Sequence, residues 1–183
     1  MELHLNLLES ATRSTILDQI EAALTAEQIE SVRAAIEAVG LPDRAQRDFE
    51  EVCETVEDLN VSDRVKADVA AVYDILAHAE AEVHQLPVKH THFHEVGRAS
   101  GVRNVVQICL AIEALAPERI TSTRVQTGKG KVECAHGLMD IPAPATAAII
   151  ATGLPVCEDR FEGELLTPTS AAIIKHFVES FDE

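Results

Sequence analysis

The chain of 183 residues has no tryptophan, one tyrosine and five phenylalanines. So few aromatics leave no stacking platform for single-stranded nucleic acid. Basic residues are also scarce, with 15 Lys and Arg against 31 Asp and Glu and a formal net charge of −16. Phosphate backbones and anionic membranes repel such a surface, so neither nucleic acid nor a membrane is an expected partner. No apolar run approaches the about 20 residues a membrane-spanning helix requires. Met1-Glu2-Leu3-His4 places no basic residue before a long apolar run, which argues against a secretory signal. The four cysteines, at 53, 109, 134 and 157, form no CxxC pair and no disulfide framework. These features predict a protein of the reducing cytoplasm. Apolar residues, in contrast, are plentiful: 46% of the chain is hydrophobic, enough for one ordinary domain or two small ones.

Glycine and proline are sparse in one half only. Residues 1–84 hold one of each, Gly40 and Pro42, and residues 85–183 hold all the rest. Charge divides at the same place: nineteen acids face six bases in residues 1–84, and twelve face nine afterwards. The sequence therefore predicts an acidic helical region over 1–86 and a small mixed α/β unit over 87–183, an α+β chain overall. In the first region Thr25-Ala26-Glu27-Gln28 has capping-box spacing, and Gly40 suits a helix stop. Val65, Val69, Val72, Leu76, Ala79 and Val83 recur at four- and three-residue steps. That stripe predicts a narrow seam for a partner helix within a small antiparallel bundle, its acids forming a solvated outer face. In the second region His90–Val96 and Ile120–Val125 read as strands and Val102–Leu115 as an apolar helix. Gly128-Lys129-Gly130-Lys131 reads as a turn, with short helices opening at Pro142-Ala143-Pro144-Ala145-Thr146 and at Thr167-Pro168-Thr169.

The densest chemical signal is His90-Thr91-His92-Phe93-His94-Glu95-Val96-Gly97. In a strand, alternate residues share a face, so His90, His92 and His94 would present three imidazoles together. Imidazole suits nickel, zinc, copper and iron, which makes these residues candidate metal ligands. An exposed polar strand with incidental histidines is the plainer alternative. HEVG is not HExxH, so no zinc-protease helix is indicated. His136 stands alone before Gly137, with Cys134 two residues earlier, and a lone histidine is more often structural. Lys129 and Lys131 make a local basic spot that lacks Walker spacing and reads first as a turn with solvated lysines. The helix starts at Thr167-Pro168-Thr169 and Pro144-Ala145-Thr146 offer free N–H groups, which together are consistent with a small anionic ligand. Cys109 lies in an apolar helix and reads as core.

These motifs occur in a recognisable order. HFHEVG (92–97), Gly128-x-Gly130, His136-Gly137, PAPAT (142–146) and GELLTPT (163–169) together resemble the LarC-type nickel insertion family over roughly residues 60–178. The resemblance implies nickel insertion into a pyridinium bisthiocarboxylate mononucleotide, coupled to CTP hydrolysis with manganese or magnesium. It implies metal ligation by His92 and His94, with the extra His90 beside them, and catalytic work by Glu95 and His136. Lys129, Lys131, Thr167 and Thr169 would bind the mononucleotide. A separate chain corresponding to the family's C-terminal part and a homo-oligomeric assembly are the expected partners. The resemblance also has departures. The family's opening DCFSGISGDM-like glycine turn has no counterpart after Met1-Glu2-Leu3-His4. Ser100 and Asn104 stand where two acids are expected, and Ser170 follows Thr169 where the family has Gly. Losing two carboxylates would weaken a hard-cation site. Two readings follow: a first-part chelatase component that works with a second chain, or a divergent non-catalytic metal- or nucleotide-binding paralogue.

Overall fold

The computed structural model describes residues 1–41, 47–93, 97, 99–134 and 137–182, apart from the side chains of Arg47, Ala99 and Cys134. The first elements are β1 (Glu2–Leu5), α1 (Arg13–Ala23), α2 (Ala26–Ala38), β2 (Arg47–Asp48), α3 (Phe49–Glu57) and α4 (Asp63–His84). A single 3-10 turn (Val88–His90), β3 (His92–Phe93), α5 (Ala99–Leu115) and β4 (Arg119–Ser122) follow. Then come β5 (Gly128–Lys129), β6 (Lys131–Cys134), β7 (Gly137–Asp140), α6 (Pro144–Ala151), β8 (Gly163–Glu164), α7 (Pro168–Phe177) and β9 (Ser180–Phe181). Helices with small sheets are the α+β architecture the sequence predicts.

One sheet is parallel, in the order β1-β4-β9, and joins the two ends of the chain. Leu3 pairs with Ile120 and Leu5 with Ser122. Alternation along β1 turns Leu3 and Leu5 into the core and leaves Glu2 and His4 exposed. The strand expected over Ile120–Val125 ends early, at Ser122. Around and beyond that end side chains join the backbone bonds Thr123 N–H to Leu5 O and Gln126 N–H to Leu7 O: the Thr123 hydroxyl accepts from Leu7 N–H at 2.8 Å, and Ser122 donates to Leu5 O. Val125 returns only as an isolated parallel bridge to Val156.

The helix starts are set locally. The Thr25–Gln28 capping box forms as its spacing predicts, and Gln28 Nε2 also donates to Ala114 O at 2.6 Å, tying α2 to the end of α5. Ser62 caps α4, and Gln85 ends that helix in the left-handed region at φ 53°. The narrow seam predicted on α4 is wider in the structure. Tyr73, Ala77 and Ala81 are buried alongside Val65, Val69, Val72, Leu76 and Ala79, whereas Val83 is exposed. The cause is the number of neighbours: α4 packs against α3, α5, α6 and α7, so most of its circumference is covered. α1 and α2 lie on α5 instead of forming a bundle with α3 and α4. Buried side chains from Leu3 to Ile174 form one hydrophobic cluster, drawn from both sides of the Leu86–Pro87 junction.

Candidate functional site

His92 occupies β3, a two-residue strand antiparallel to β2, with Arg47 opposite Phe93 and Asp48 opposite His92. Phe93 anchors this strand. It is fully buried, edge-on to Tyr73 of α4 at 5.6 Å and to Phe49 of α3 at 6.4 Å. Its burial turns the neighbouring His92 out to solvent. Asp48, the cross-strand partner, caps α3 by accepting from Glu51 N–H at 2.8 Å. The register thus sets Asp48 opposite His92 in the backbone pairing, with the Asp48 carboxylate turned to the α3 cap.

His90 is not in the strand expected over His90–Val96. Pro87 starts a 3-10 turn there, closed by His90 N–H to Pro87 O at 2.8 Å and Thr91 N–H to Val88 O at 3.0 Å. Proline cannot donate but fixes the φ such a turn needs at its start. Alternation nevertheless persists: His90 and His92 are exposed, and Thr91 and Phe93 are buried. Thr91 holds the alternation by donating to Ala77 O of α4. His94, Glu95 and His136 lie outside the described residues. The antiparallel hairpin of β6 and β7 pairs Cys134 with Gly137, bracketing positions 135 and 136. Among the described residues no group of three His, Cys, Asp or Glu side chains gathers as metal ligands.

The expected GKGK turn is the junction of two short strand pairs. Gly128 and Lys129 pair with β8, and Lys131–Cys134 pair with β7. Both lysines are exposed and face carboxylates: Lys129 Nζ to Glu162 at 3.3 Å, and Lys131 Nζ to Asp140 at 3.2 Å. Thr167 caps α7 by accepting from Ser170 N–H at 3.2 Å, and the two hydroxyls lie 2.9 Å apart. Thr169 is half-buried in the first turn of α7.

The structure also gathers helix starts that sequence spacing did not bring together. Leu165 N–H donates to Thr127 O at 3.2 Å, and α7 begins three residues later. Ile141 N–H donates to Gly130 O at 3.0 Å, and α6 begins three residues later. Both starts therefore hang from the segment 127–130. Ala11 N–H donates to Leu165 O at 2.8 Å, which brings in Thr12, the cap of α1. At the far ends, Lys175 Nζ donates to Thr152 O, so α6 and α7 also meet near their C-termini. The start of α6 differs from those of α1, α2, α3, α4 and α7: no side chain caps it, and the buried Thr146 Oγ1 has no hydrogen-bond partner. Sequence reasoning grouped Thr146 with the helix starts but gave it no role of its own, because nothing in the local pattern predicts its burial.

Among the described residues, the thiols of Cys53, Cys109 and Cys157 do not compete for this chemistry. Burial pushes Cys109 far up, and the Asp68 carboxylate adds to the shift. Burial likewise raises Cys53, reinforced by Asp74, and raises Cys157, which Arg124 partly offsets. A thiol held protonated is a poor nucleophile and a poor ligand.

Comparison with known proteins adds the following. The family model described as "Nickel insertion protein" matches residues 2–183. A putative nickel insertion protein of Syntrophobacter fumaroxidans is 38% identical over 143 residues, covering 78% of this chain and 37% of its own. The pyridinium-3,5-bisthiocarboxylic acid mononucleotide nickel insertion protein of Staphylococcus saprophyticus is 37% identical over 152 residues, 78% of this chain and 38% of its own. A putative nickel insertion protein of Methanosarcina barkeri is 35% identical over 185 residues, 94% and 47% respectively. The chain thus spans less than half the length of these relatives. No solved structure matches.

Proposed function

The chain belongs to the nickel insertion protein family, and from that membership we propose that it forms the nickel-receiving part of a protein that inserts nickel into a pyridinium bisthiocarboxylate mononucleotide. The observation that carries this reading is the family match along residues 2–183, which includes the HFHEVG segment whose first two residues form β3.

Nickel is the substrate metal here. His92 supports the reading because buried Phe93 holds its strand and leaves the imidazole accessible. In this proposal His92 and His94 take nickel, with His90 close by in sequence. Glu95 and His136 do the catalytic work. Nickel takes the neutral imidazole, so protonation of a ligand histidine opposes loading. A site that must release its metal is better left with open positions than closed by four protein ligands. Lys129, Lys131, Thr167 and Thr169 bind the mononucleotide. For the lysines this means exchanging Glu162 and Asp140 for the incoming anion.

CTP with manganese or magnesium, a chain corresponding to the rest of the relatives, and a homo-oligomeric assembly are further parts of the proposal. A hard cation needs several carboxylate oxygens. The described residues gather no such set. Ser100 and Asn104, where the resemblance calls for acids, favour the second reading of a non-catalytic metal- or nucleotide-binding paralogue.

Calorimetric titration of the metal-free chain with Ni²⁺ tests the proposal. His92→Ala/His94→Ala is expected to abolish specific nickel binding while leaving the metal-free thermal midpoint near wild type, since His92 makes no packing contribution to the core. Unchanged nickel affinity in the double variant refutes the ligand assignment. Nickel binding without transfer to the mononucleotide, even with the partner chain present, selects the paralogue reading.

A further inference from the structure

We propose that the N-terminal turn of α6 is a phosphate site, in which the Thr146 hydroxyl and the first-turn N–H groups hold the phosphate monoester of a pyridinium mononucleotide. This rests on the function proposed above and assigns one end of that substrate.

Thr146 is 0% exposed, and its Oγ1 has no partner. Native structures retain few such groups, because a buried hydroxyl gives up its water and gains nothing in return. A helical threonine ordinarily escapes this by bonding to the carbonyl three or four residues back. Thr146 does not. It is the third residue of α6, and helical side chains tilt toward the helix N-terminus. The side chain therefore leans toward the start of its own helix.

That start is itself unsatisfied. The N-cap residue is Ala143, no side chain caps the turn, and no acid lies in it. Pro144 at the first position has no N–H to satisfy, which leaves Ala145 and Thr146 as the leading donors. Both residues are buried. Thr12, Thr25, Asp48, Ser62 and Thr167 cap α1, α2, α3, α4 and α7 with their own oxygens. At α6 two backbone donors and one hydroxyl belong to the first turn, at the positive end of the helix dipole. Such a group of donors suits a tetrahedral oxyanion. Ile141 N–H bonds to Gly130 O, so Lys129 and Lys131, ion-paired to Glu162 and Asp140, flank the strand junction that carries this helix start.

The test uses the 183-residue chain, with nicotinic acid mononucleotide, nicotinic acid riboside and inorganic phosphate as probes. Thermal unfolding and calorimetry are run on wild type, Thr146→Val, Thr146→Ala and Thr146→Ser. Wild type is expected to bind the mononucleotide and, more weakly, phosphate, but not the riboside. Thr146→Val, which removes only an unpartnered hydroxyl, is expected to have a ligand-free midpoint equal to or above wild type. Its mononucleotide affinity is expected to fall roughly tenfold to a hundredfold, the loss of one hydrogen bond to a charged group. Thr146→Ala, which cannot overpack the site, is expected to lose affinity in the same way, and Thr146→Ser to keep it. Equal mononucleotide affinity in wild type, Thr146→Val and Thr146→Ala overturns the proposal. So does riboside binding as tight as mononucleotide binding, failure of the mononucleotide to bind wild type, or a ligand-free midpoint of Thr146→Val well below wild type. Nickel affinity in Thr146→Val is expected to stay at the wild-type value. Failure of nickel binding at the His92 segment would then count against the proposed function alone.

Discussion

Phe93 and His92 are neighbours in sequence and opposites in environment. The aromatic ring fixes the strand from within, and the imidazole is presented because of it. Cys109 shows the same logic for a group that does no chemistry. Its thiol is held protonated by burial first and the Asp68 carboxylate second, so its folded pKa lies above the unfolded value of 9.0. A raised pKa means that the folded state binds the proton more tightly. The resulting stability is fully present below pH 9.0 and is lost as pH rises above it. Cys109→Ala is expected to cost about 1 kcal/mol near neutral pH by leaving a small void. The gap between the variant and wild type should then narrow by up to about 1.4 kcal/mol per pH unit above the unfolded pKa. Urea unfolding at a series of pH values measures this, and a gap independent of pH refutes the assignment.

Among the elements, the pairing of β5 with β8 has the strictest geometric requirement. Gly128 has φ +77°, and a Cβ there would lie 1.9 Å from the carbonyl oxygen of Gly163. Neither the conformation nor the space admits a side chain. Gly128→Ala is therefore expected to destabilise the fold by about 2–4 kcal/mol, by forcing β5 and β8 apart. It should also weaken the mononucleotide binding proposed above, because the starts of α6 and α7 both hang from this segment. Gly153→Ala is the control. Gly153 has φ +102° but nothing within 4 Å of the added Cβ, so only backbone strain of about 1–2 kcal/mol is expected. Midpoints from urea titration separate the two, and equal losses would show that the close approach is not what requires Gly128.

For the whole molecule, the decisive fact is that α4 belongs to the first sequence half and packs on α5, α6 and α7 of the second. The sheet repeats this pattern, since β1 pairs with β4 and β4 with β9. Each half would expose much of its apolar surface without the other. Calorimetric unfolding is expected to show a single transition, with equal calorimetric and van't Hoff enthalpies. Two resolved transitions would mean that residues 1–86 and 87–183 fold independently.

Short-range features could be read from the sequence because their causes are short-range. The Thr25 capping box, the Thr167 cap, the apolar helix ending at Leu115 and the outward–inward alternation around His92 depend only on neighbours within a few positions. The ordered motifs from HFHEVG to GELLTPT likewise pointed to the family without reference to the fold. Other features came only with the tertiary structure. His90 fell into a turn because Pro87 bends the chain back under α4. The α4 seam became a broad face because four helices surround it. Lys129 and Lys131 met Glu162 and Asp140, and the starts of α6 and α7 met on one segment, through pairings that linear spacing does not encode. Thr146 is the clearest case: its type and helical position are local, but its burial without a partner depends on what packs around α6.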